Sequence, residues 1–396
     1  MNISDKIECT PEETGYDSTR LVTLNNHFQR LVDEKLIHGA SYCIAHKGKV
    51  IAAGSIGYGS AIDHNVKMCD NAVFEIASIT KIFTATAIMK LVEDGLIRLD
   101  TPVGEILPQM SAAPFDKITL MHLLTHSSGL YPDMGCFPEE FPKCQWQLIE
   151  EAASHLSKEE LKDFDWVKAS LGGGLRVPVG SQWQYCTFGF CLLGEVISKV
   201  SGMFAHDYIE KNICQPLGMN DTSFTLSQDM AKRMYIDGEN SEKFVKDVID
   251  GKRSGYDDVG TIWEKIPSTG GGLCSTAYDL VKYGNAMLYG GRFNGARILG
   301  RKAVDKMRTI QLHNVPDYCW GADTPDRLYG VGFDMRQGPA YTYSEGTYMH
   351  EGAGACSLDI DPKEELVAAW HVPFAIDDWS AIPLYNTQNV IWSGLI

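Results

Sequence analysis

At 396 residues, with 44% hydrophobic and 22% charged side chains, the chain has the composition of a soluble globular protein. It is long enough for two or three domains, or for one large fold with an insertion. Its formal charge of −16, from 35 basic and 51 acidic residues, argues against nucleic acid and anionic membrane surfaces as main partners.

In chain order, the first element predicted is a helix over residues 17–36, where Leu21, Leu24, Phe28, Leu31 and Val32 recur at helical spacing. Residues 40–45 and 50–53 flank the turn His46-Lys47-Gly48-Lys49 and read as a β-hairpin. An apolar, Ala-rich run at 82–91 predicts a second helix, stopped at Glu93-Asp94-Gly95 and followed by a turn at Asp100-Thr101-Pro102. Residues 100–265 are mostly helical patterns broken by Gly and Pro. Short β-type runs return at 328–336, 341–349, 354–360 and 365–372, and a last helical pattern covers 380–393. Strands at both ends with helices between them predict an α+β fold: a sheet domain from residues 1–99 and 266–396, and a mainly helical insertion over 100–265. The acidic N-terminus has no apolar core of a signal peptide, and no window offers about 18 uninterrupted apolar residues. The 11 cysteines are odd in number and irregularly spaced, the pattern of free, mostly buried thiols. Cytoplasmic location is the expectation.

Ser78-Ile79-Thr80-Lys81 carries the most chemistry. A serine and a lysine three apart on a helix share a face, about one turn from each other. A serine hydroxyl needs a base to become a nucleophile, and a lysine serves as one when burial lowers its pKa. Alone, the same four residues also fit a helix N-cap followed by a solvated lysine. Tyr185 precedes a helix start at Phe188-Gly189-Phe190; beside a lysine its pKa is expected to fall, making it a proton shuttle, although a core tyrosine fits the same pattern. His350-Glu351-Gly352 stands between two predicted strands. Gly352 there would let a ligand approach the backbone, and the N–H of Ala353 would join that of Ser78 as an oxyanion donor. The bland alternative is an ordinary strand-edge turn.

Other candidates fail. His122 and His126 are four apart, but no glutamate follows His122, so no metal is expected. The glycine clusters at 172–174 and 270–272 match no nucleotide-binding pattern, so no cofactor is expected either. No G-x-S-x-G elbow is present.

Taken together, the residues resemble the serine β-lactamase and penicillin-recognising superfamily, in particular the branch of class C β-lactamases, family VIII esterases and D-amino-acid-releasing peptidases. The resemblance runs from about Gly15 to the last helix. Beyond Ser78-x-x-Lys81 it rests on Leu123-Leu124-Thr125-His126-Ser127-Ser128-Gly129-Leu130, Pro178-x-Gly180 before Tyr185, and Pro216-Leu217-Gly218-Met219-Asn220-Asp221-Thr222. Gly271-Gly272-Leu273-Cys274-Ser275-Thr276-Ala277-x-Asp279-Leu280 and Tyr329-Gly330-Val331-Gly332-Phe333 complete the set, in the family's order. It implies an antiparallel sheet flanked by the terminal helices, an all-helical domain and a cleft between them. It also implies that Ser78 is acylated, that Lys81 and Tyr185 move protons, and that His350-Glu351-Gly352 lines the strand side of the site.

Two residues depart from the family's usual pattern. Thr187 replaces the asparagine of Tyr-x-Asn, so an amide becomes a shorter hydroxyl facing the substrate. His350 replaces the lysine of Lys-Thr-Gly, so a fixed cation becomes a mostly neutral imidazole. The expected activity is therefore a serine hydrolase acting on a small ester. The alternatives are a D-aminopeptidase or amidase, a β-lactamase-type hydrolase, and an acyltransferase using the same acyl-enzyme. A non-catalytic binding role is the reading from a different class. Acyl and leaving groups are set by the loops at 132–143, 237–261 and 314–326, the last with Tyr318, Trp320 and nearby Tyr329 as an expected aromatic wall.

Overall fold

In the computed structural model, which describes residues 3–138, 144–253, 262–353, 355–376 and 382–396, the predicted first helix is α1 (Thr19–Asp33). Its buried residues Leu24, His27, Phe28 and Leu31 are three or four apart or adjacent, so one face is committed to a core. The hairpin follows as β1 (Gly39–His46) and β2 (Lys49–Gly57), joined through Lys47 and Gly48 at φ 51° and 77°. Positive φ at both turn residues gives the twist that paired strands require. Pairing runs on to Gly39 and Gly57, past the expected ends. The outer half of β2 escaped notice because it is an edge strand, only partly buried, with no apolar alternation.

A two-residue strand, β3 (Phe74–Glu75), leads toward α2 (Thr80–Glu93), which is buried over residues 80–89 and at Leu91. A helix apolar all round belongs at the centre of a molecule. Its buried hydroxyls are satisfied: Thr84 Oγ1 donates to the Thr269 carbonyl (2.7 Å) and Thr86 Oγ1 to that of Ile82 (2.8 Å). The middle of the chain supplies α3 (Leu120–Leu124), α4 (Thr187–Ser201), which packs on α2, and α5 (Glu239–Ile249). Then come β4 (Cys274–Ser275), paired with β3, and α6 (Ala277–Leu288).

After a two-residue hairpin pairing Arg292–Phe293 with Ala296–Arg297, the long strands β5 (Tyr348–Gly352), β6 (Cys356–Asp361) and β7 (Leu366–His371) follow, and the chain ends in α7 (Thr387–Trp392). The five long strands form one antiparallel sheet in the order β2-β1-β7-β6-β5. Alternate residues serve opposite faces. Cys43, Ala45, Val367 and Ala369 enter the core under α6, whereas Tyr42, Ile44, Ala368 and Trp370 enter the core with α1 and α7. This is an α+β architecture. Its largest apolar cluster is continuous from Ile88 and Leu192 through Leu280 to Leu358, joining helices and sheet.

One predicted strand is absent and another begins later than expected. Residues 328–336 make only the single bridges Tyr329 to Asp334 and Asp334 to Met349. Gly332, at φ 78°, turns the chain back against α2, so Val331 and Phe333 are buried without being paired in a ladder. Residues 341–349 join the sheet only from Tyr348; Tyr341 and Tyr343 stack on each other beside Tyr385 and Trp392. The predicted last helix begins as a π-helical turn, Ile382–Asn386, ahead of α7; its residues 380–381 lie outside the described residues, as do 139–143 and 254–261 of the first two of the three predicted specificity loops. All 11 cysteines are free, and only Cys9 and Cys69 are partly exposed. Among the described residues no single helix is long and apolar enough to cross a membrane.

Candidate active site

Ser78 does not lie on α2 itself. It occupies a 3-10 turn, Ala77–Ile79, wedged between β3 and the first turn of α2. Ala77 sits at φ 43°, a left-handed conformation that costs a non-glycine residue energy and persists only when its surroundings hold it. Here they do. Ile76 N–H donates to the Leu273 carbonyl (2.9 Å), and Leu273 N–H donates to Thr80 Oγ1 (3.1 Å).

The spacing still brings Ser78 and Lys81 together, with Lys81 Nζ 2.8 Å from Ser78 Oγ. Lys81 is fully buried and also donates to the Gly270 carbonyl (2.7 Å) and to Thr187 Oγ1 (3.1 Å). Burial lowers its pKa to about 8, against the opposing pull of the Asp133 carboxylate. The amine therefore exchanges its proton near neutral pH.

Tyr185 closes the triangle. Its ring lies 4.8 Å under Lys81 Nζ and 4.5 Å from the ring of His126. The expected fall in its pKa does not occur. Burial, with Tyr329 and Asp133 adding to it, pushes the phenol well above its ordinary value. Tyr185 is a neutral donor rather than a phenolate.

Gly352 ends β5 directly against this turn. A Cβ there would lie 2.4 Å from the Ile76 carbonyl oxygen and 2.5 Å from Cys356 Sγ. The protein's own backbone, at the Ile76 carbonyl, approaches this glycine closely. Gly352→Ala is expected to push residues 76–77 aside, lowering stability by about 1–3 kcal/mol, as overpacking does, and misplacing Ser78. A thermal melt read beside ester turnover checks both effects. The next residue, Ala353, is exposed, and with Ala77 it lines a cavity of about 730 Å³ walled by Phe74, Tyr235, Phe244 and Phe374.

His350 is buried on β5. Its Nδ1 donates to the Glu351 carbonyl (2.6 Å), which leaves Nε2 as the bare acceptor, with no partner among the described residues. Burial and nearby Lys81 lower its pKa to about 3, so the ring is neutral. β5 is held in place by ion pairs from Glu351 to Arg336 (2.7 Å) and from Arg336 to Asp334 (2.8 Å).

Thr187 opens α4 but faces inward. Its Oγ1 donates to Asp133 Oδ2 (2.5 Å) while accepting from Lys81, and its N–H donates to Asp133 Oδ1 (2.7 Å). Of the expected aromatic wall, exposed Trp320 leans on Tyr185 at 5.3 Å, whereas Tyr329 is buried below, against His126. His122 and His126 share no face. His122 accepts from Thr119 N–H at the start of α3 (3.1 Å), and His126, past the helix at φ 55°, accepts from Cys186 N–H (3.0 Å).

The family model for Beta-lactamase matches residues 24–373. The chain belongs to the Beta-lactamase family. This is a family of serine hydrolases of the β-lactamase and penicillin-binding-protein type. Among curated relatives, Protein Rv1367c of Mycobacterium tuberculosis is 27% identical over 379 residues, covering 88% of this chain and 89% of that protein. The D-alanyl-D-alanine-carboxypeptidase/endopeptidase AmpH of Escherichia coli is 30% identical over 176 residues, 44% of this chain and 42% of its own. The solved structure of EstCE1, described as a hydrolase with promiscuous acyltransferase activity, superposes with a TM-score of 0.72 at 19% identity, covering 95% of this chain and 99% of that one. That likeness is one of fold.

Asp133 and His126 are the site residues that sequence reasoning missed. Tyr131-Pro132-Asp133 followed by Gly135 has the composition of a surface turn, which hid the carboxylate's inward role. His126 stands in a recognisable motif at the end of a helix, and nothing in the sequence marks it as the platform under Tyr185.

Proposed function

We propose that the protein is a serine esterase working through an acyl-enzyme on Ser78. The observation that carries this reading is the hydrogen-bonded pair of Ser78 with a fully buried Lys81. Ser78 Oγ attacks the ester carbonyl as its proton passes to Lys81 Nζ. The N–H groups of Ser78 and Ala353 hold the oxyanion. Tyr185 gives its proton to the leaving alkoxide and recovers one from Lys81. Water then attacks the acyl carbon with the same groups acting in reverse, and Ser78 leaves as the alcohol.

His350 supports an ester without a free carboxylate. A buried, neutral ring supplies no cation to pair with a carboxylate, where a lysine would. The cavity beside Ala77 and Ala353 offers an acyl chain the rings of Phe74, Tyr235, Phe244 and Phe374, with Glu75, Asp237 and Arg253 also on its wall. The nearest rival is an amidase or aminopeptidase, which the same acyl-enzyme machinery would serve.

The test compares kcat/KM for p-nitrophenyl butyrate, D-alanine p-nitroanilide and the carboxylate-bearing β-lactam nitrocefin. The ester is expected to be turned over fastest and nitrocefin slowest. A D-alanine anilide cleaved faster than the ester would overturn the assignment.

A further inference from the structure

Resting on the acyl-enzyme reading above, we propose that Asp133 is a positioning residue for Lys81: through the Thr187 hydroxyl it aims the lysine's lone pair at Ser78. The argument is one of hydrogen-bond direction. A carboxylate accepts and does not donate, so the single Thr187 hydroxyl proton is committed to Asp133 Oδ2 at 2.5 Å. Thr187 Oγ1 then meets Lys81 only as an acceptor. The Gly270 carbonyl, on another side of the amine, is likewise an acceptor only. A neutral amine has two N–H bonds and one lone pair. Thr187 and Gly270 take the two hydrogens, and the lone pair is left for the remaining neighbour, Ser78 Oγ, at 2.8 Å.

Without the carboxylate, Thr187 is free to turn its proton onto Lys81 and cap the base. The carboxylate is itself fixed: its Oδ1 accepts from Thr187 N–H at 2.7 Å, and Asp133 N–H donates to the Tyr185 carbonyl at 2.8 Å. One residue thus ties Tyr185, Thr187 and Lys81 into a single unit. The other titratable groups facing Lys81 are Tyr185 and Cys186 ahead of α4, Cys191 on α4, His126 and, from β5, His350. Both histidines are held neutral by burial, and burial raises the pKa of the Tyr185 phenol and the Cys186 thiol, keeping both protonated. Among the described groups acting on the amine, Asp133 is the fixed charge.

The experiment follows the rate of Ser78 labelling by a fluorophosphonate, read by intact mass, and kcat/KM for p-nitrophenyl butyrate, each from pH 6 to 10. Asp133→Asn keeps the shape of the side chain but presents an NH₂ group to Thr187. It is expected to lower the high-pH plateau about 10- to 100-fold, part of the roughly 10²- to 10⁴-fold that a positioned base contributes. It is also expected to move the acid limb to lower pH, because a negative charge beside the ammonium is gone. A residue that only braces the loop would lower the plateau and leave the limb in place.

Thr187→Val is expected to reproduce the plateau loss, Thr187→Ser to stay within about threefold of wild type, and the double variant Asp133→Asn/Thr187→Val to be no worse than the poorer single one, as for groups acting in series. If Asp133→Asn does not fold, the Thr187 pair decides: full activity in Thr187→Val overturns the proposal. An unmoved limb in folded Asp133→Asn also overturns it while leaving the acyl-enzyme intact. Absence of label on wild-type Ser78 overturns the acyl-enzyme reading, and this one with it.

Discussion

Ser78→Ala is expected to abolish hydrolysis of p-nitrophenyl butyrate, with kcat falling at least about 10⁴-fold, as removal of a covalent nucleophile does. The change is local. Ser78 is only partly buried and sits on a turn whose shape is set by the backbone bonds of Ile76 and Leu273 and by Thr80, none of which involves the Ser78 hydroxyl. The variant should therefore melt with the wild type, and a loss of rate reports chemistry. Intact-mass spectra taken during turnover supply the second reading: a butyryl adduct on the wild type and none on the variant. A variant that keeps its activity would require another nucleophile, and the cysteines are poor substitutes. Nine are buried, and burial raises the pKa of Cys43 and Cys186 well above the ordinary thiol value and that of Cys356 to about 12, each close to the catalytic helix or the sheet.

The parts of the fold that announce themselves in the sequence are those in which one residue's neighbours along the chain determine its fate. Leu24, Phe28 and Leu31 mark α1 by spacing alone, and Lys47-Gly48 marks the hairpin by its turn. Ser78 and Lys81 are legible for the same reason: a separation of three places them together whether the first lies on a 3-10 turn or on the helix. What stays hidden is partnership across long separations. Asp133 meets Thr187 over 54 positions, and nothing local distinguishes that aspartate from a turn residue. Thr187 looked substrate-facing because its place in the motif is known and its partner was not. Residues 328–336 mislead in the opposite direction: Val331 and Phe333 alternate as in a strand, but α2 buries them and Gly332 bends them out of any ladder. Tyr185 shows the limit for pKa. A neighbouring lysine is visible in the motif, whereas the burial that outweighs it is a property of the finished core.

Lys81→Met should lower kcat/KM for the ester by about 10²- to 10⁴-fold, the usual contribution of a positioned base. It should also lower the melting temperature modestly, since the Gly270 carbonyl and Thr187 Oγ1 lose a buried donor. A rate loss of that size in a variant that still melts cooperatively separates a catalytic role from a structural one. The pH dependence gives a third reading. With the Lys81 pKa lowered to about 8, the amine is free above that pH and protonated below it. The wild-type kcat/KM is therefore expected to rise with pH, by nearly tenfold per unit well below 8, and to level off above it. No second limb should interrupt the rise. His126 and His350 have their pKa values lowered by burial and stay neutral, and Tyr185, raised well above 10, keeps its proton up to pH 10. The profile is thus a single step rather than a bell, and the residual rate of Lys81→Met should be flat through it, apart from hydroxide attack on the substrate. A step near pH 6 would assign the base to a histidine, and a bell closing below pH 10 would mean that Tyr185 loses the proton it must donate at a pH where burial should keep it protonated.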